Sequence, residues 1–344
     1  MTAGGDGPSV PRHLAPMPHD VIAFGEAMIR LAPPHFQRLE QARSFDVEIG
    51  GAELNAAVGL ARLGHSAAWV SAVPNSALGR LVANRVREAG VHDGHVQYAD
   101  AGRCGLYFLE FGAAPRASAI EYDRAGSALA LVGAGSFDWP TILSGAKWFH
   151  VSGITPALGA GPAAATAEAL AAAKAGGVPT SIDLNYRSKL WTPEAAGTTM
   201  AALLPMCDVL IASEHDAHQL FGIEGADFAE VATQLIARFG LAAVAGVRRE
   251  ADLVWRNRFS AVGFAGEQLY ETPWYEVEIV DRLGAGDAFA AGLIHGLLGG
   301  DFATGLNYGA AAGALKHTFP GDLPWISPAD VEAILSGGNL RIQR

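Results

Sequence analysis

Short apolar stretches alternate along most of the chain with longer stretches in which apolar residues recur at helical spacing. The runs VIAFG from residue 21 and AAWVSAV from residue 67 are typical of buried strands, whereas ELNAAVGLARLG from residue 53 and SALGRLVANRVREAG from residue 76 are typical of amphipathic helices. The same alternation continues through residues 147–213. This rhythm predicts a doubly wound α/β fold, in which a mostly parallel sheet is flanked by helices.

Two segments interrupt this rhythm, residues 30–51 and 105–124. The second alternates apolar and polar residues on both sides of a turn at Gly112 to Pro115, which is typical of a hairpin with one solvated face. We expect about residues 30–50 and 104–125 to form a small β lid. Because such a lid leaves an apolar face uncovered, it also predicts a homo-oligomer, a dimer or larger, that associates through the lid.

The composition excludes several classes of protein. Half of the 344 residues are hydrophobic, so we expect residues 19–344 to form one large domain after a flexible tail over residues 1–18. The net charge of −11 argues against nucleic acid or an anionic membrane surface as a partner and favours a small molecule. Apolar runs are too short for a membrane span or a signal peptide, and Cys104 and Cys207 cannot make a disulfide framework, so the cytoplasm is the expected location.

The stretch VDRLGAGDAFAAGL, residues 280–293, carries the clearest chemistry. It follows the extended run WYEVEIV and leads into an apolar helix, so its glycines lie at a helix N-terminus, where free backbone amides and the helix dipole attract anions. Gly284 and Gly286 allow the backbone to approach a phosphate closely. A dinucleotide-binding loop is the alternative, but its third glycine is misplaced here, and a Walker A loop is excluded because no Gly-Lys-Ser/Thr sequence occurs.

Asp287, directly after these glycines, has two interpretations. A carboxylate in the first turn of a helix is a common cap. Beside a glycine anion loop it can instead be the base that accepts the proton of an attacking hydroxyl during phosphoryl transfer, and we favour this interpretation. The helix dipole is expected to lower the pKa of Asp287 and to keep it ionised at neutral pH.

A second motif is GGAELNAAVGLARLG, residues 50–64. Gly50 and Gly51 end the first lid segment, and Asn55 lies near the start of an amphipathic helix. These residues form either a tight turn with a polar helix start or a place where the backbone approaches a polyhydroxylated ligand. The local pattern favours neither interpretation.

In their order and separation, these two motifs resemble the N-terminal and C-terminal signatures of the ribokinase-like (PfkB) family of carbohydrate kinases. The resemblance covers about residues 20–335, and within the family the chain is most similar to the 2-keto-3-deoxygluconate kinases, in stretches such as EYDRAGSA, SIDLNYRSKLW and ALKHTFPGD. It implies a ribokinase-like fold and transfer of the γ-phosphate of ATP, with Mg²⁺, to the C6 hydroxyl of 2-keto-3-deoxygluconate. The implied products are 2-keto-3-deoxy-6-phosphogluconate and ADP.

The resemblance also implies roles for individual residues. Asp287 is the catalytic base, and Gly284, Ala285 and Gly286 form the anion hole for the transferred phosphoryl group. The implied substrate-binding residues are Gly51, Asn55, Tyr107, Tyr122, Arg124, Arg187, Asp287 and Asp322. The implied nucleotide-binding residues are Ser213, Gly246, Gly284, Ala285, Gly286 and Asn307. No metal ligand is assigned to the chain.

Some of these residues also have structural interpretations. A guanidinium binds a carboxylate through two parallel hydrogen bonds, and Arg187 follows a core strand, where ligands of open α/β sheets bind. For Arg124 taken alone, the favoured interpretation is an ion-paired arginine, with Asp123 as one possible partner. Tyr107 and Tyr122 can be part of the lid core, and Asp322 lies in a Pro-Gly-Asp turn.

Two other functions stay open. A kinase for another sugar, such as fructose, ribose or a nucleoside, would share the fold and both motifs. A non-catalytic sensor of a sugar acid is suggested by Ser213 and Asp216, which stand where the family often has Asn and an acid, although Asp287 argues against it.

Overall fold

The computed structural model describes residues 18–337, so the tail predicted for residues 1–18 lies outside the described residues except for Pro18. The strands are β1 Val21–Phe24, β2 Met28–Ala32, β3 Asp46–Gly50, β4 Ala67–Pro74, β5 His92–Ala99, β6 Gly105–Glu110, β7 Ala119–Asp123, β8 Trp148–Ser152, β9 Thr180–Asp183, β10 Val209–Ile211, β11 Ala243–Leu253, β12 Arg256–Ala265, β13 Gln268–Glu271 and β14 Tyr275–Glu278. The helices are α1 Ala52–Arg62, α2 Ala77–Glu88, α3 Trp139–Ile142, α4 Ile154–Ala157, α5 Ala160–Gly176, α6 Pro193–Leu203, α7 Glu214–Phe221, α8 Phe228–Phe239, α9 Ala285–Leu298, α10 Phe302–Lys316 and α11 Pro328–Leu335.

The larger sheet has the strand order β13-β12-β11-β10-β9-β8-β1-β4-β5, and β14 also pairs with β12. Neighbouring strands from β11 to β5 are parallel, whereas β12 is antiparallel to β11, β13 and β14. The mostly parallel sheet that the alternation of strands and helices predicts is therefore confirmed.

Both faces of this sheet are covered. In the central strand β1, Ile22 and Phe24 belong to a core shared with α5, α6 and α8, while Val21 and Ala23 belong to a core shared with α1, α2, α9 and α10. Successive strand residues point to opposite faces, so one strand contributes to both cores. The doubly wound arrangement is confirmed.

A second sheet, which we call the lid sheet, has the order β3-β2-β6-β7 and comes from the two segments that interrupt the rhythm. Arg30 of β2 is in register with Tyr107 of β6, and both side chains are buried on the inner face of the lid sheet. The next residue, Leu31, is in register with Val47 and Phe108 and points to the opposite face. In β2, β3 and β6, the inner face of the lid sheet thus carries the buried pair Arg30 and Tyr107, and its outer face carries an apolar patch of Leu31, Val47 and Phe108.

Helix α9 starts at the glycine motif and is almost entirely buried. It packs so closely on α10 that a Cβ added to Gly296 would lie 2.1 Å from the amide nitrogen of Gly305. This contact fixes the axis of α9 and therefore the position of its N-terminus. Within residues 18–337, each helix is too short or too polar to cross a bilayer.

Candidate active site

A cavity of about 1130 Å³ lies between the lid sheet and the carboxyl ends of the parallel strands. Its walls come from β6 and β7 of the lid sheet, the start of α1, the segment after β9 and the start of α9. The residues with an implied substrate-binding role all line it: Gly51, Asn55, Tyr107, Tyr122, Arg124, Arg187, Asp287 and Asp322. Residues that are up to 271 positions apart in sequence are therefore brought to one cavity.

The N-terminus of α9 opens into this cavity. Gly284, its N-cap, has a φ of +82°, and a Cβ at this position would lie 2.0 Å from the carbonyl oxygen of Asp322, so only glycine fits. The backbone amides of Gly286 and Asp287 have no hydrogen-bond acceptor within residues 18–337. Ala285 directs its buried side chain into the core while its backbone continues the turn. The helix start therefore offers unsatisfied donors and a positive dipole to an anion.

Asp287 is oriented by Asn55 of α1. The Nδ2 group of Asn55 donates to Oδ2 of Asp287 at 2.6 Å, and Oδ1 of Asn55 accepts from the Gly51 amide at 3.3 Å. This chain of hydrogen bonds fixes which amide atom of Asn55 faces the carboxylate. The second carboxylate oxygen of Asp287 accepts no hydrogen bond from the described residues and is available to a ligand in the cavity.

The prediction that the helix dipole lowers the pKa of Asp287 is wrong. Burial raises this pKa to about 6, and the hydrogen bond from Asn55 and the charge of Arg187 offset only part of that effect. Removal from water disfavours the charged form more than the nearby donors favour it. The carboxylate is still mostly ionised at neutral pH, and a pKa close to the working pH suits a general base better than an ordinary aspartate pKa does.

Sequence reasoning did not assign a role to a second acid and a third arginine in the site. Asp183 ends β9, and burial together with the nearby Asp287 carboxylate raises its pKa well above the usual range. Arg249 places its Nη2 atom 3.6 Å from the point where a Cβ on Gly286 would be, so its guanidinium faces the start of α9. The end of a parallel strand was the available signal for Asp183; Arg249 lies inside β11 and carries no comparable signal.

The two pocket arginines differ in their partners. Arg187 is exposed to the cavity, donates to the carbonyl oxygen of Tyr186 at 3.2 Å, and has no carboxylate within 4.0 Å among residues 18–337. Arg124 instead pairs with the buried carboxylate of Glu26, and only 11% of its side chain is exposed. Arg124 therefore has the ion-paired role that the sequence left open, with Glu26 as partner and not Asp123.

A buried network lies under the cavity. Arg30 bonds Asp322 and Asp281 at 2.7 Å each, and the hydroxyl of Tyr107 donates to the other oxygen of Asp322. Burial and the adjacent Asp322 carboxylate raise the pKa of Tyr107 well above its ordinary value, so the phenol stays protonated as a donor. Asp322 thus lines the cavity while both its oxygens have protein partners, and Tyr107 positions it.

Glu53 anchors the start of α1. Its fully buried Oε1 accepts hydrogen bonds from the amide and hydroxyl of Ser152 and from the hydroxyl of Thr155. Burial raises the pKa of Glu53 to about 7 in spite of these donors. Because Asn55 is two residues further along α1, this anchor also sets the position of the amide that holds Asp287.

The three residues with an implied role in binding the rest of the nucleotide do not line the cavity. Ser213 caps α7 and exchanges hydrogen bonds with Asp216. Gly246 is buried in β11, where a Cβ would lie 2.3 Å from the carbonyl oxygen of Ala212, so a packing constraint alone explains it. Asn307 lies on α10 and donates to the carbonyl oxygen of Ala303 at 2.9 Å.

Comparison with known proteins supplies independent information. A model of the pfkB family of carbohydrate kinases matches residues 18–324. A 2-dehydro-3-deoxygalactonokinase of Haloferax volcanii is 40% identical over 329 residues, which cover 95% of this chain and 100% of the relative. The crystal structure of a 2-dehydro-3-deoxygluconokinase from Thermotoga maritima has a TM-score of 0.90 and 41% identity, covering 93% of this chain and 99% of the other. A fructokinase from Xylella fastidiosa with bound ATP has the same fold, with a TM-score of 0.77 and 24% identity, over 92% of this chain and 98% of the other.

Proposed function

The chain belongs to the pfkB family of carbohydrate kinases, and from this membership we propose that it phosphorylates the C6 hydroxyl of 2-keto-3-deoxygluconate with ATP. The products are 2-keto-3-deoxy-6-phosphogluconate and ADP. The substrate class is supported by two relatives of about 40% identity, whose names denote kinases of 2-dehydro-3-deoxy sugar acids, the same compounds as the 2-keto-3-deoxy acids.

One observation carries the proposal. The carboxylate of Asp287, with one oxygen free, shares a cavity with the guanidinium of Arg187, which has no carboxylate partner among the described residues. A sugar acid has a hydroxyl at one end and a carboxylate at the other, and these are the two groups that such a pair binds. A neutral sugar would leave Arg187 without a partner.

In the proposed reaction, Asp287 accepts the proton of the C6 hydroxyl as its oxygen attacks the γ-phosphorus. The new bond joins C6 oxygen to phosphorus, the bond between the γ-phosphorus and the bridging oxygen breaks, and ADP leaves with that oxygen. The backbone turn Gly284, Ala285 and Gly286 is proposed to surround the transferred group, and the free amides of Gly286 and Asp287 to stabilise charge on its oxygens. The Ala285 amide lies 3.5 Å from the carbonyl oxygen of Arg282, so it would have to exchange that acceptor for the phosphoryl group. Asn55 keeps Asp287 directed at the hydroxyl throughout.

The nucleotide site is proposed to extend from the α9 N-terminus towards the ends of β10 and β11. The guanidinium of Arg249 faces this helix start and is suited to nucleotide phosphates. We assign Ser213, Gly246 and Asn307 to the outer part of the same site. ATP is the donor that matches the kinase family.

The acidic residues at this end fit Mg²⁺, a cation that prefers oxygen ligands and neutralises phosphate charge. Asp183 is near enough to Asp287 and Asp216 for their carboxylates to raise its pKa, and a cation in this region would relieve that repulsion. We propose that Asp183 and Asp216 hold it, directly or through water.

A substrate panel tests the proposal. With ATP and Mg²⁺, we expect turnover of 2-keto-3-deoxygluconate, measured as ADP release, and much lower kcat/KM for fructose, ribose and nucleosides. The panel should also include the epimer 2-keto-3-deoxygalactonate as a second candidate substrate, because the 40% identical relative is named 2-dehydro-3-deoxygalactonokinase. Consumption of neutral sugars without the keto-deoxy acids would overturn the assignment. Turnover of neither class would favour the sugar-acid sensor instead.

We further propose that the outer face of the lid sheet forms a homodimer with a second copy of the chain. Val47 is 43% exposed and Phe45 is 38% exposed, and both lie beside Phe108 and Leu31 on this apolar face. We expect a dimer by light scattering and a monomer for Val47→Asp. A monomeric wild-type chain at micromolar concentration would contradict this interface.

A further inference from the structure

Three histidines cluster at the end of the larger sheet that is remote from the cavity. His19 lies two residues before β1, and His92 and His95 lie in the first half of β5, the edge strand beside β4. One ring nitrogen can be chosen from each so that the three atoms all lie within 4.8 Å of one another. The cavity residues follow the carboxyl ends of the strands, so this cluster is separate from the candidate active site.

A β-bulge brings His92 and His95 to the same side of β5. Ala68 of β4 pairs with His92 and Val70 pairs with His95, so three steps along β5 match two along β4. In a regular strand, residues three apart point to opposite faces, and the extra residue of the bulge reverses that relation. The two rings come to 5.7 Å between centroids.

Gly94, inside the bulge, is part of this arrangement. A Cβ at this position would lie 2.3 Å from Cε1 of His92, a distance that a real side chain cannot adopt. Glycine therefore leaves the space that the His92 ring occupies. The segment His92-Asp-Gly-His95 is built so that both rings face the same neighbour, His19.

His19 is fixed against this strand by its surroundings. Its Nδ1 atom lies 2.9 Å from the hydroxyl of Ser66. The adjacent Asp20 accepts from the Ser66 amide at 2.9 Å and pairs with Lys147 at 2.8 Å. A hydrogen bond at Nδ1 leaves Nε2 for a metal and orients the ring, which is how metal-binding histidines are usually held.

The ring chemistry of the cluster also fits a cation. The centroids of His19 and His92 are only 4.4 Å apart. Such a group of imidazoles is a set of nitrogen ligands with no counterpart elsewhere in residues 18–337.

We propose that His19, His92 and His95 bind one divalent transition-metal ion, such as Zn²⁺, which fastens the segment before β1 to the edge strand β5. Imidazole nitrogen suits zinc, cobalt, nickel and copper, whereas Mg²⁺ prefers oxygen, so this site is distinct in kind from a cation bound with ATP. With Zn–N bonds of about 2.0 to 2.1 Å, tetrahedral nitrogens lie about 3.4 Å apart, so the rings need to approach by at most about 1.5 Å. Water completes the coordination.

The test is titration of tag-free, chelator-treated full-length protein with Co²⁺, followed by the visible absorption of tetrahedral cobalt, and with Zn²⁺ by calorimetry. We expect one ion per chain. His19→Gln, His92→Gln and His95→Gln should each weaken binding by about 100-fold or more, since even the loss of a supporting partner costs about 10-fold to 100-fold. Ser66→Ala should weaken it about 10-fold.

Two further variants sharpen the result. Gly94→Ala should displace the His92 ring and lose the ion, whereas His218→Gln, on the exposed surface of α7, should bind as the wild type does. Zn²⁺ should raise Tm in the wild type and in His218→Gln but not in His92→Gln. Absence of stoichiometric binding in the wild type, or wild-type affinity in the three histidine variants, would refute the site. Kinase activity with Mg²⁺ should be the same in His92→Gln, so failure here is distinguishable from failure of the proposed function.

Discussion

Replacing Asp287 by Asn should reduce kcat by about 10²-fold to 10⁴-fold while leaving the affinity for sugar acid and nucleotide nearly unchanged. The amide has almost the same shape as the carboxylate and can still accept the hydrogen bond from Asn55, but it cannot take the proton of the attacking hydroxyl. Steady-state kinetics with binding measured by calorimetry separates the two effects. A rate within a few-fold of the wild type would remove Asp287 from the chemistry.

Helix α11 offers a matched control for this substitution. Asp330 is the third residue of α11, as Asp287 is of α9, and it forms a capping box with Ser327. If Asp287 were only a cap, Asp287→Asn and Asp330→Asn should both cost about 1 kcal/mol of stability and neither should affect kcat. We expect Asp330→Asn to change stability alone, so a difference in kcat between the variants measures the chemical role.

The pH dependence of kcat/KM should also reflect the ionisation of Asp287. Because burial raises the pKa of Asp287 to about 6, kcat/KM of the wild type should rise with pH through that region, as the base loses its proton. Asp183, whose pKa is also raised, titrates in the same range. The acid limb of the kcat/KM profile therefore reports the coupled ionisation of Asp183 and Asp287 together. Asn55→Ala removes a hydrogen bond that lowers the pKa of Asp287 and should shift the limb to higher pH. An acid limb near pH 4 in the wild type would contradict this environment.

The parts of the molecule that were predictable are those with local signals. The alternation of strands and helices and the two glycine motifs predict the larger sheet, the family and the position of Asp287, because each depends on residues close together in sequence. By contrast, Arg30 and Asp322 are 292 positions apart, and the sequence around each residue contains no signal that the other is its partner. Long-range polar pairs of this kind become visible only in the folded chain.

The pKa of Asp287 also could not be predicted correctly from the sequence, because it depends on burial in the folded chain. The position of this residue in the first turn of a helix is readable from sequence, and so is the favourable dipole. The depth to which the start of α9 is buried cannot be read from the sequence, and this burial raises the pKa of Asp287 to about 6. The partner of Arg124 could not be predicted for a related reason, since Glu26 lies 98 positions away in sequence.

Replacing Arg187 by Ala should lower kcat/KM for 2-keto-3-deoxygluconate by about 10²-fold to 10³-fold, chiefly through a higher KM. The guanidinium is exposed to the cavity and has no carboxylate within 4.0 Å in residues 18–337, so its removal breaks no ion pair. Its charge also lowers the pKa of Asp287, so the kinetics should be compared at a pH well above that pKa, where Asp287 is ionised in both proteins. What is lost is the charge-assisted pairing with the substrate carboxylate, which is worth a few kcal/mol when water is excluded. Arg187→Lys keeps the charge but not the two parallel donors and should fall between the wild type and Arg187→Ala.

The decisive comparison uses a substrate without the carboxylate. In 3-deoxyfructose a hydroxymethyl group replaces the carboxylate of 2-keto-3-deoxygluconate, and the C6 hydroxyl is unchanged. A residue that binds the carboxylate should give a large loss of kcat/KM for the acid and little change for the neutral analogue, whereas a structural arginine should affect both alike. Arg80→Ala, at an exposed position of α2, should affect neither. Equal losses for both substrates would contradict carboxylate binding by Arg187, and equal activity of the wild type on both would favour a neutral sugar as the natural acceptor.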